Sequence, residues 1–236
     1  MKIALLGYGK MGHEIEQIAQ KRGHEIVLRK TSDTNFDLII NADVAIDFST
    51  PQSALSNISA ALNNDIPVVS GTTGWLEDFS KITDLCQQKK GAFLYASNFS
   101  FGVNIFFELN KKLAQLVHNT PNYQAEIEET HHTQKLDAPS GTAITLANDI
   151  IAHSSYENWV LMPKEKSATD LPIVAHREDQ VPGTHKISYT SAEDKISIEH
   201  EAFSRQGFAL GAVIAAEWLM GKKGVFSMKD VLGLGN

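Results

Sequence analysis

The sequence has a single cysteine, few cations and no long apolar run. Cys86 alone cannot form an internal disulfide or build a site that needs several thiolates. Lys and Arg total 21 against 28 Asp and Glu, and the net charge of −7 argues against nucleic-acid or anionic-membrane partners. No segment approaches the roughly 20 apolar residues of a membrane span. The run Met1–Leu6 is too short for a signal peptide, so we expect a cytoplasmic protein.

The first hundred of the 236 residues alternate short apolar runs with helical periodicity. Strands separated by helices of this length predict βαβ units and a parallel sheet, the α/β class. The predicted strands are 2–6, 25–29, 44–48, 67–70 and 92–96, and the predicted helices are 14–22, 51–63 and 76–89.

The pattern changes after about Gly102. A long amphipathic helix is followed by an alternating strand, in which Ala125 and Ile127 are apolar, and by a further helix after Ser140. Two adjacent alternating runs then predict antiparallel pairing. The predicted elements are helix 103–118, strand 123–130, strands 186–190 and 195–202, a buried helix 208–220, and a loop 163–182.

The segment Gly7–Gly12 has the spacing G-x-G-x-x-G. It follows a predicted strand and opens a predicted helix, which is the context of a dinucleotide site. There Gly7 would permit the tight turn, Gly9 would let a pyrophosphate approach, and Gly12 would let helix and strand pack closely. A glycine-rich turn that binds nothing is the alternative.

The end of the second predicted strand carries Arg29 and Lys30. A site selective for NAD usually has an acid here to hold the ribose 2′-hydroxyl, and the first acid is Asp33. Two cations could instead receive a 2′-phosphate, so the sequence favours NADPH, with NADH also possible. The alternative is that both cations are solvated surface charges.

A second anion site is predicted at Ser140–Thr142. Ser140 is a good N-cap, and Pro139 disfavours helix before it. The amides of Gly141 and Thr142 and the hydroxyls of Ser140 and Thr142 would bind a carboxylate.

Two histidines and a lysine lie just before this helix start. Lys135 and a nearby histidine could hold a second anionic group or donate protons. His131 and His132 would point to opposite sides of an extended chain, so we expect no metal site. An exposed polar loop is the alternative.

The segment Glu128–Ala143, with the pattern E-x-x-H-H-x-x-K-x-D-A-P-S-G-T-A, resembles the signature of the dihydrodipicolinate reductase family. Further similar blocks are 71–74, 98–104, 181–184, 204–205 with 208–212, and 230–232. The resemblance covers nearly the whole chain. The sequence departs from the family in a glycine loop one residue shorter, in the missing acid after the second strand, and in trimmed loops.

The resemblance implies a reductase that uses NADPH or NADH to convert 4-hydroxy-tetrahydrodipicolinate to tetrahydrodipicolinate and water, on the diaminopimelate route to lysine. It implies a Rossmann dinucleotide-binding domain of residues 1–102 and 206–236. It also implies an α+β substrate domain of residues 103–205, whose open mixed sheet builds a homotetramer. The partners expected are this small dicarboxylate and further copies of the chain.

The resemblance also assigns roles to residues. His131 would be the acid/base, Lys135 a proton donor and carboxylate partner, and His132 a substrate contact. Ser140, Gly141 and Thr142 would hold a substrate carboxylate. The residues expected at the cofactor are Gly7, Tyr8, Gly9, Lys10, Met11, Gly12, Arg29, Lys30, Phe48, Gly71, Thr72, Thr73, Ala96, Ser97, Asn98 and Phe99.

Two other functions remain open from the residues. One is a two-domain reductase of an amino acid or semialdehyde; an aldehyde dehydrogenase usually needs a cysteine nucleophile, and Cys86 lies in a predicted amphipathic helix. The other is a nucleotide-sensing scaffold without chemistry, which would have little reason to carry His131, His132 and Lys135 together.

Overall fold

A computed structural model describes residues 1–120 and 122–234. The chain divides into two compact units. The first unit comprises Met1–Phe101 and the chain from Gln206 onward, and the second comprises Gly102–Arg205. Among the described residues, no helix is long and apolar enough to cross a membrane.

The helices and strands follow one another along both units. In chain order they are β1 (Lys2–Leu6), α1 (Lys10–Lys21), β2 (Glu25–Lys30), β3 (Val44–Asp47), α2 (Pro51–Asn63), β4 (Val68–Ser70), α3 (Phe79–Gln88), β5 (Ala92–Tyr95), α4 (Phe101–His118), β6 (Gln124–His131), α5 (Gly141–Ile151), β7 (Asn158–Leu161), β8 (Asp170–Arg177), β9 (Gly183–Thr190), β10 (Lys195–Ala202), α6 (Gln206–Leu219), β11 (Gly224–Phe226) and α7 (Met228–Leu232). Short 3-10 helices lie at Ile39–Asn41 and Leu76–Asp78.

The first unit is a six-stranded parallel sheet covered by helices on both faces. The strand order is β2–β1–β3–β4–β5–β11. Alternate residues of β1 point to opposite faces: Ile3 and Leu5 pack with α1 and α6, while Ala4 and Leu6 pack with α2 and α3. The near-continuous apolar strands are typical of a parallel sheet buried on both faces.

The second unit is a five-stranded mixed sheet in the order β10–β9–β6–β8–β7. Strand β9 pairs antiparallel with β6 and β10, whereas β8 is parallel to β6 and β7. Helices α4 and α5 pack on one face, where Ile127 is buried. On the opposite face Glu126 and Glu128 are partly exposed. The predicted α/β class, with a Rossmann sheet and an open mixed sheet, is confirmed.

Several predicted elements differ from the structure. Helix α2 has its predicted bounds, but the helix predicted at 76–89 is a 3-10 turn followed by α3. The predicted loop 163–182 is wrong, because β8 lies inside it and pairs on both sides. The apolar residues Leu171 and Ile173, both buried in β8, were the sequence signal for this strand. Pro172 between them and the polar residues on either side obscured it.

Candidate active site

The glycine loop joins β1 to α1, and each of its three glycines has a different environment. Gly7 has φ +106°, and a Cβ there would lie 2.2 Å from the Phe48 carbonyl oxygen. A Cβ on Gly12 would lie 2.6 Å from the Gly7 carbonyl oxygen. A Cβ on Gly9, the N-cap of α1, would meet no atom within 4 Å. Backbone packing therefore needs two of the glycines, and the third leaves open space where the first-turn amides of α1 could receive phosphates.

A buried carboxylate, Asp47, organises the loops at the neighbouring strand ends. Its Oδ1 accepts from the Ser49 hydroxyl (2.7 Å) and the Asn57 amide (3.0 Å). Its Oδ2 accepts from the hydroxyls of Ser70 (2.9 Å) and Thr72 (2.7 Å). Burial raises the pKa of Asp47, and these four hydrogen bonds oppose that rise. The network ties together the loops after β3 and β4, at the carboxyl ends of the strands, where open α/β sheets bind ligands.

Aromatic rings fill the space behind the same loops. A Cβ on Gly71 would lie 2.3 Å from the Phe48 ring, so that ring needs a glycine beneath it. Phe48 also packs against Phe99, with ring centroids 5.5 Å apart. Of the other residues expected at the cofactor, Ala96 is buried, Asn98 is partly buried and accepts from the Ser100 amide, and Thr73 and Ser97 are exposed. Lys10 is exposed and Met11 is partly buried.

The two cations expected near the ribose have protein partners. Arg29 forms a two-pronged ion pair with Glu16, a residue of α1 that is 9% exposed. Tyr8 of the glycine loop also donates to Glu16, and the Arg29 guanidinium lies 5.9 Å from the Tyr8 ring centroid. Lys30 donates to the Thr31 carbonyl oxygen at 2.5 Å. Arg29 is thus a fixed cation beside the glycine loop.

In the second unit, strand β6 places an acid and a histidine on its buried face. Its alternation continues from Ala125 and Ile127 to Glu129 and His131, which are 0% and 7% exposed. The sheet register sets Glu129 opposite His185 on β9, and His131 beside Arg177 on β8. These four side chains form what we call the β6 polar cluster.

His131 is held within this cluster. Its Nδ1 lies 3.7 Å from Glu129 Oε2, and its ring lies edge-on to His185, with centroids 5.0 Å apart. Burial lowers the pKa of His131 to about 4; His185, Lys135 and Arg177 also lower it, while Glu129 raises it. The imidazole is therefore neutral near pH 7.

Lys135 lies in the loop after β6, where a turn links its amide to the His132 carbonyl at 3.0 Å. Its ammonium pairs with both carboxylate oxygens of Asp137 at 2.8 and 2.7 Å. Arg177 fixes the loop by donating to the carbonyls of Lys135 (3.3 Å) and Asp137 (2.7 Å). The neighbouring His132 is partly exposed.

Ser140 starts α5, as the sequence predicts. Its hydroxyl accepts from the Ala143 amide at 3.2 Å, which makes it the N-cap. A Cβ on Gly141 would meet no atom within 4 Å, so the approach to the first turn of α5 is open there. Thr142 follows, partly buried. The arrangement offers helix amides and hydroxyls to an anion.

Glu129, His131 and His185 each place one potential metal-ligating atom within 4.8 Å of the others. Hydrogen bonds already engage two of these residues: the Ser140 amide donates to both Glu129 oxygens at 3.1 Å, and the Ser140 hydroxyl lies 3.1 Å from His185 Nε2. Ser140 therefore bridges Glu129 and His185 by hydrogen bonds. The absence of a metal site remains an expectation.

Sequence reasoning missed Glu129, His185, Arg177, Asp47 and Glu16. The period of two that predicted β6 also places Glu129 at a core position, a signal that could have been used. The pairing of Glu129 with His185 and Arg177 depends on strand register, which a single sequence does not give.

The parallel sheet with its glycine loop, and the unit bearing the histidine–lysine segment, define a Rossmann-type oxidoreductase that uses a pyridine nucleotide. Family models for dihydrodipicolinate reductase match the chain at residues 1–99 for the N-terminus and 102–232 for the C-terminus. The chain belongs to the dihydrodipicolinate reductase family.

Individual relatives agree over nearly the whole length. The 4-hydroxy-tetrahydrodipicolinate reductase of Christiangramia forsetii is 55% identical over 98% of both chains. That of Akkermansia muciniphila is 36% identical over 96% of this chain and 95% of its own. A dipicolinate-bound dihydrodipicolinate reductase from Paenisporosarcina sp. TG-14 superposes with a TM-score of 0.78, at 25% identity and 98% coverage of both chains.

Proposed function

We propose that this protein reduces 4-hydroxy-tetrahydrodipicolinate to tetrahydrodipicolinate, with loss of the 4-hydroxyl as water, in diaminopimelate and lysine synthesis. The observation that carries the proposal is the second unit, where His131, Lys135 and the start of α5 lie within one short stretch of chain. A relative binds dipicolinate, a planar dicarboxylate of the same skeleton, which supports this substrate class.

Different residues of the second unit would bind different parts of the substrate. Ser140, Gly141 and Thr142 would hold one carboxylate at the N-terminus of α5, where helix amides favour an anion. Lys135 would hold the other carboxylate, and to do so it must leave or share its ion pair with Asp137. We assign His132 to a further substrate contact.

Lys135 and His131 would supply the proton that the reduction consumes. Because the pKa of His131 is about 4 in this structure, its imidazole starts neutral. We therefore assign the proton donation to Lys135. A bound dianion would raise the pKa of His131, so that it could share in the transfer. The reaction consumes one hydride and one proton and releases water.

The first unit would bind the cofactor. A dihydronicotinamide bound there supplies the hydride to C4 of the substrate ring. The glycine loop Gly7–Gly12 would hold the pyrophosphate. The rest of the nucleotide would be flanked by Phe48, Gly71, Thr72, Thr73, Ala96, Ser97, Asn98 and Phe99. The open space at Gly9 and the glycine-dependent packing at Gly7 and Gly12 fit such a group.

We assign NADPH as the preferred cofactor and NADH as an accepted one. Arg29 is held beside the glycine loop by Glu16 through Nε and one terminal nitrogen. The other terminal nitrogen of its guanidinium would be the donor to a 2′-phosphate. Dissociation constants for NADPH and NADH, measured by nucleotide fluorescence, test this assignment. Equal values for the two would refute it.

We further assign a homotetramer built on the open sheet of the second unit. Light scattering should give four times the chain mass of 25.9 kDa. A mass of one or two chains would refute this assembly.

A reductase of a semialdehyde by a cysteine nucleophile fits the structure poorly. Cys86 is 1% exposed in α3, and burial raises the pKa of its thiol. Both features disfavour a reactive thiolate.

A coupled assay tests the function. A dihydrodipicolinate synthase supplies the substrate, and the fall in nicotinamide absorbance reports reduction. We expect oxidation of NADPH that depends on both the synthase product and this protein. No oxidation with either nucleotide would favour the nucleotide-sensing scaffold.

A further inference from the structure

Glu129 is a buried carboxylate on a core-facing position of β6, and none of its side chain is exposed. The Ser140 amide donates to both of its oxygens at 3.1 Å. His131, His185 and Arg177 each have one nitrogen 3.7 Å from a Glu129 oxygen. The charge is thus surrounded by nitrogen groups, and the Ser140 amide alone among these four lies at direct hydrogen-bonding distance.

Stability alone does not explain such a charge. Burying an ion costs several kcal/mol in desolvation, and well-packed apolar side chains often replace a buried ion pair without loss. Burial alone would raise the pKa of Glu129, but His185, Ser140 and His131 outweigh it and hold the pKa at about 2. The cluster therefore keeps the Glu129 carboxylate ionised in the core at neutral pH.

The contacts of Glu129 reach two parts of the site. One oxygen faces Nδ1 of His131, a buried nitrogen with no hydrogen-bond partner in the described structure. Both oxygens accept from the amide of Ser140, the residue that caps α5. The Ser140 hydroxyl also lies 3.1 Å from His185 Nε2. One carboxylate thus joins the imidazole to the helix start that would bind substrate.

We propose that Glu129 is a positioning residue for the reduction, holding His131 and the N-terminus of α5 in a fixed relation. The inference rests on the proposed function and concerns a residue that the family resemblance did not assign. Glu129 need not touch substrate or cofactor; it acts through His131 and Ser140.

The charge of Glu129 also favours the protonated form of His131. Among the described residues, His185 on β9, Lys135 in the following loop and Arg177 on β8 face this imidazole, and all three lower its pKa. Glu129 is the carboxylate that opposes them. Its removal should make His131 harder to protonate as substrate binds.

The test compares Glu129→Gln with Glu128→Gln. Glu128 is the adjacent residue on the opposite face of β6, where it pairs with Lys186 at 3.0 Å. Glu129→Gln should lower kcat by roughly 10–100-fold, part of the usual contribution of an acid–base group, with a smaller change in KM. The apparent pKa of His131 in the pH profile of kcat should be lower in Glu129→Gln than in the wild type. Glu128→Gln should match the wild type within about twofold, a change too small to reflect a lost catalytic contact.

A kcat for Glu129→Gln within twofold of wild type, or an unchanged pH profile, would overturn the proposal. Equal losses in both variants would overturn it too. If Glu129→Gln does not fold, Glu129→Asp keeps the charge but withdraws it from Ser140 and His131. The proposal then requires Glu129→Asp to lower kcat and shift the pH profile, and wild-type values in this variant would contradict it.

A readout without turnover separates this proposal from the proposed function. Inactivity of the wild-type protein with both nucleotides would contradict the function alone. Histidine imidazole NMR with pyridine-2,6-dicarboxylate then decides the positioning role. Glu129→Gln should lower the pKa of His131 and weaken dicarboxylate binding, while Glu128→Gln should do neither. Unchanged titration and binding in Glu129→Gln would refute it.

Discussion

The ammonium of Lys135 forms a two-pronged ion pair with the Asp137 carboxylate, at 2.8 and 2.7 Å. Asp137 therefore occupies the place on Lys135 that we propose for a substrate carboxylate. The Asp137 side chain is 61% exposed, so its hold on the ammonium is weakened by solvent. The proposed site requires a dianionic substrate to displace Asp137 from the ammonium.

Lys135→Ala should lower kcat by roughly 10²–10⁴-fold, because it removes both a proton donor and a carboxylate partner. Binding of NADPH should hardly change, since Lys135 is not part of the glycine loop Gly7–Gly12. Steady-state kinetics and nucleotide fluorescence measure the two effects. The exposed Lys166 offers a matched control as Lys166→Ala. Normal turnover in Lys135→Ala would contradict the assignment.

Arg29→Ala should weaken NADPH binding by roughly tenfold or more, the usual loss for a hydrogen bond to a charged group. NADH binding should change little, because that nucleotide lacks the 2′-phosphate. Fluorescence titration of both nucleotides gives the ratio directly. Lys21→Ala removes an exposed cation from α1 as a control. An unchanged ratio in Arg29→Ala would show that Arg29 does not recognise the phosphate.

Asp47→Asn should destabilise the first unit by about 1–3 kcal/mol, since the new amide presents donors to hydroxyls that already donate. Nucleotide binding should weaken as well, because the loops carrying Ser49 and Thr72 lose their shared acceptor. Urea denaturation and nucleotide titration report the two effects. Asp43→Asn is the control, an exposed acceptor just before the same strand. Equal stability in both variants would contradict a special role for Asp47.

Gly183→Ala should lower kcat roughly tenfold, because small displacements of a catalytic group are costly. A Cβ on Gly183 would lie 3.1 Å from His131 Nε2, so the imidazole must shift. Gly207→Ala is a suitable control, since a Cβ at Gly207 would meet its nearest atom at 3.9 Å. Kinetics of both variants provide the comparison, and wild-type kcat in Gly183→Ala would show that His131 tolerates the shift.

Local patterns in the sequence predicted much of this fold. The cap at Ser140 and the apolar period of α2 are contained within one element each, so the predicted bounds of α2 and the predicted start of α5 agree with the structure. Strand β8 was missed because Pro172 and polar flanks hide a run that is buried by pairing on both sides.

The candidate site was predictable only in part. His131, Lys135 and Ser140 are recognisable because they are close together in sequence. The contacts of Glu129 with His185 and Arg177 join three strands, and those of Glu16 with Tyr8 and Arg29 join a loop, a helix and a strand. Such contacts require the register and packing of the folded chain.

Hydride transfer to the substrate ring is the central claim, and isotopic labelling tests it most directly. The protein is mixed with the synthase product and with NADPH that carries deuterium at C4 of the nicotinamide ring, each epimer in turn. Mass spectrometry then measures the deuterium content of the product. We predict one deuterium at C4 of tetrahydrodipicolinate from one epimer and none from the other. Oxidation of NADPH without deuterium in the product ring, from either epimer, would contradict the account.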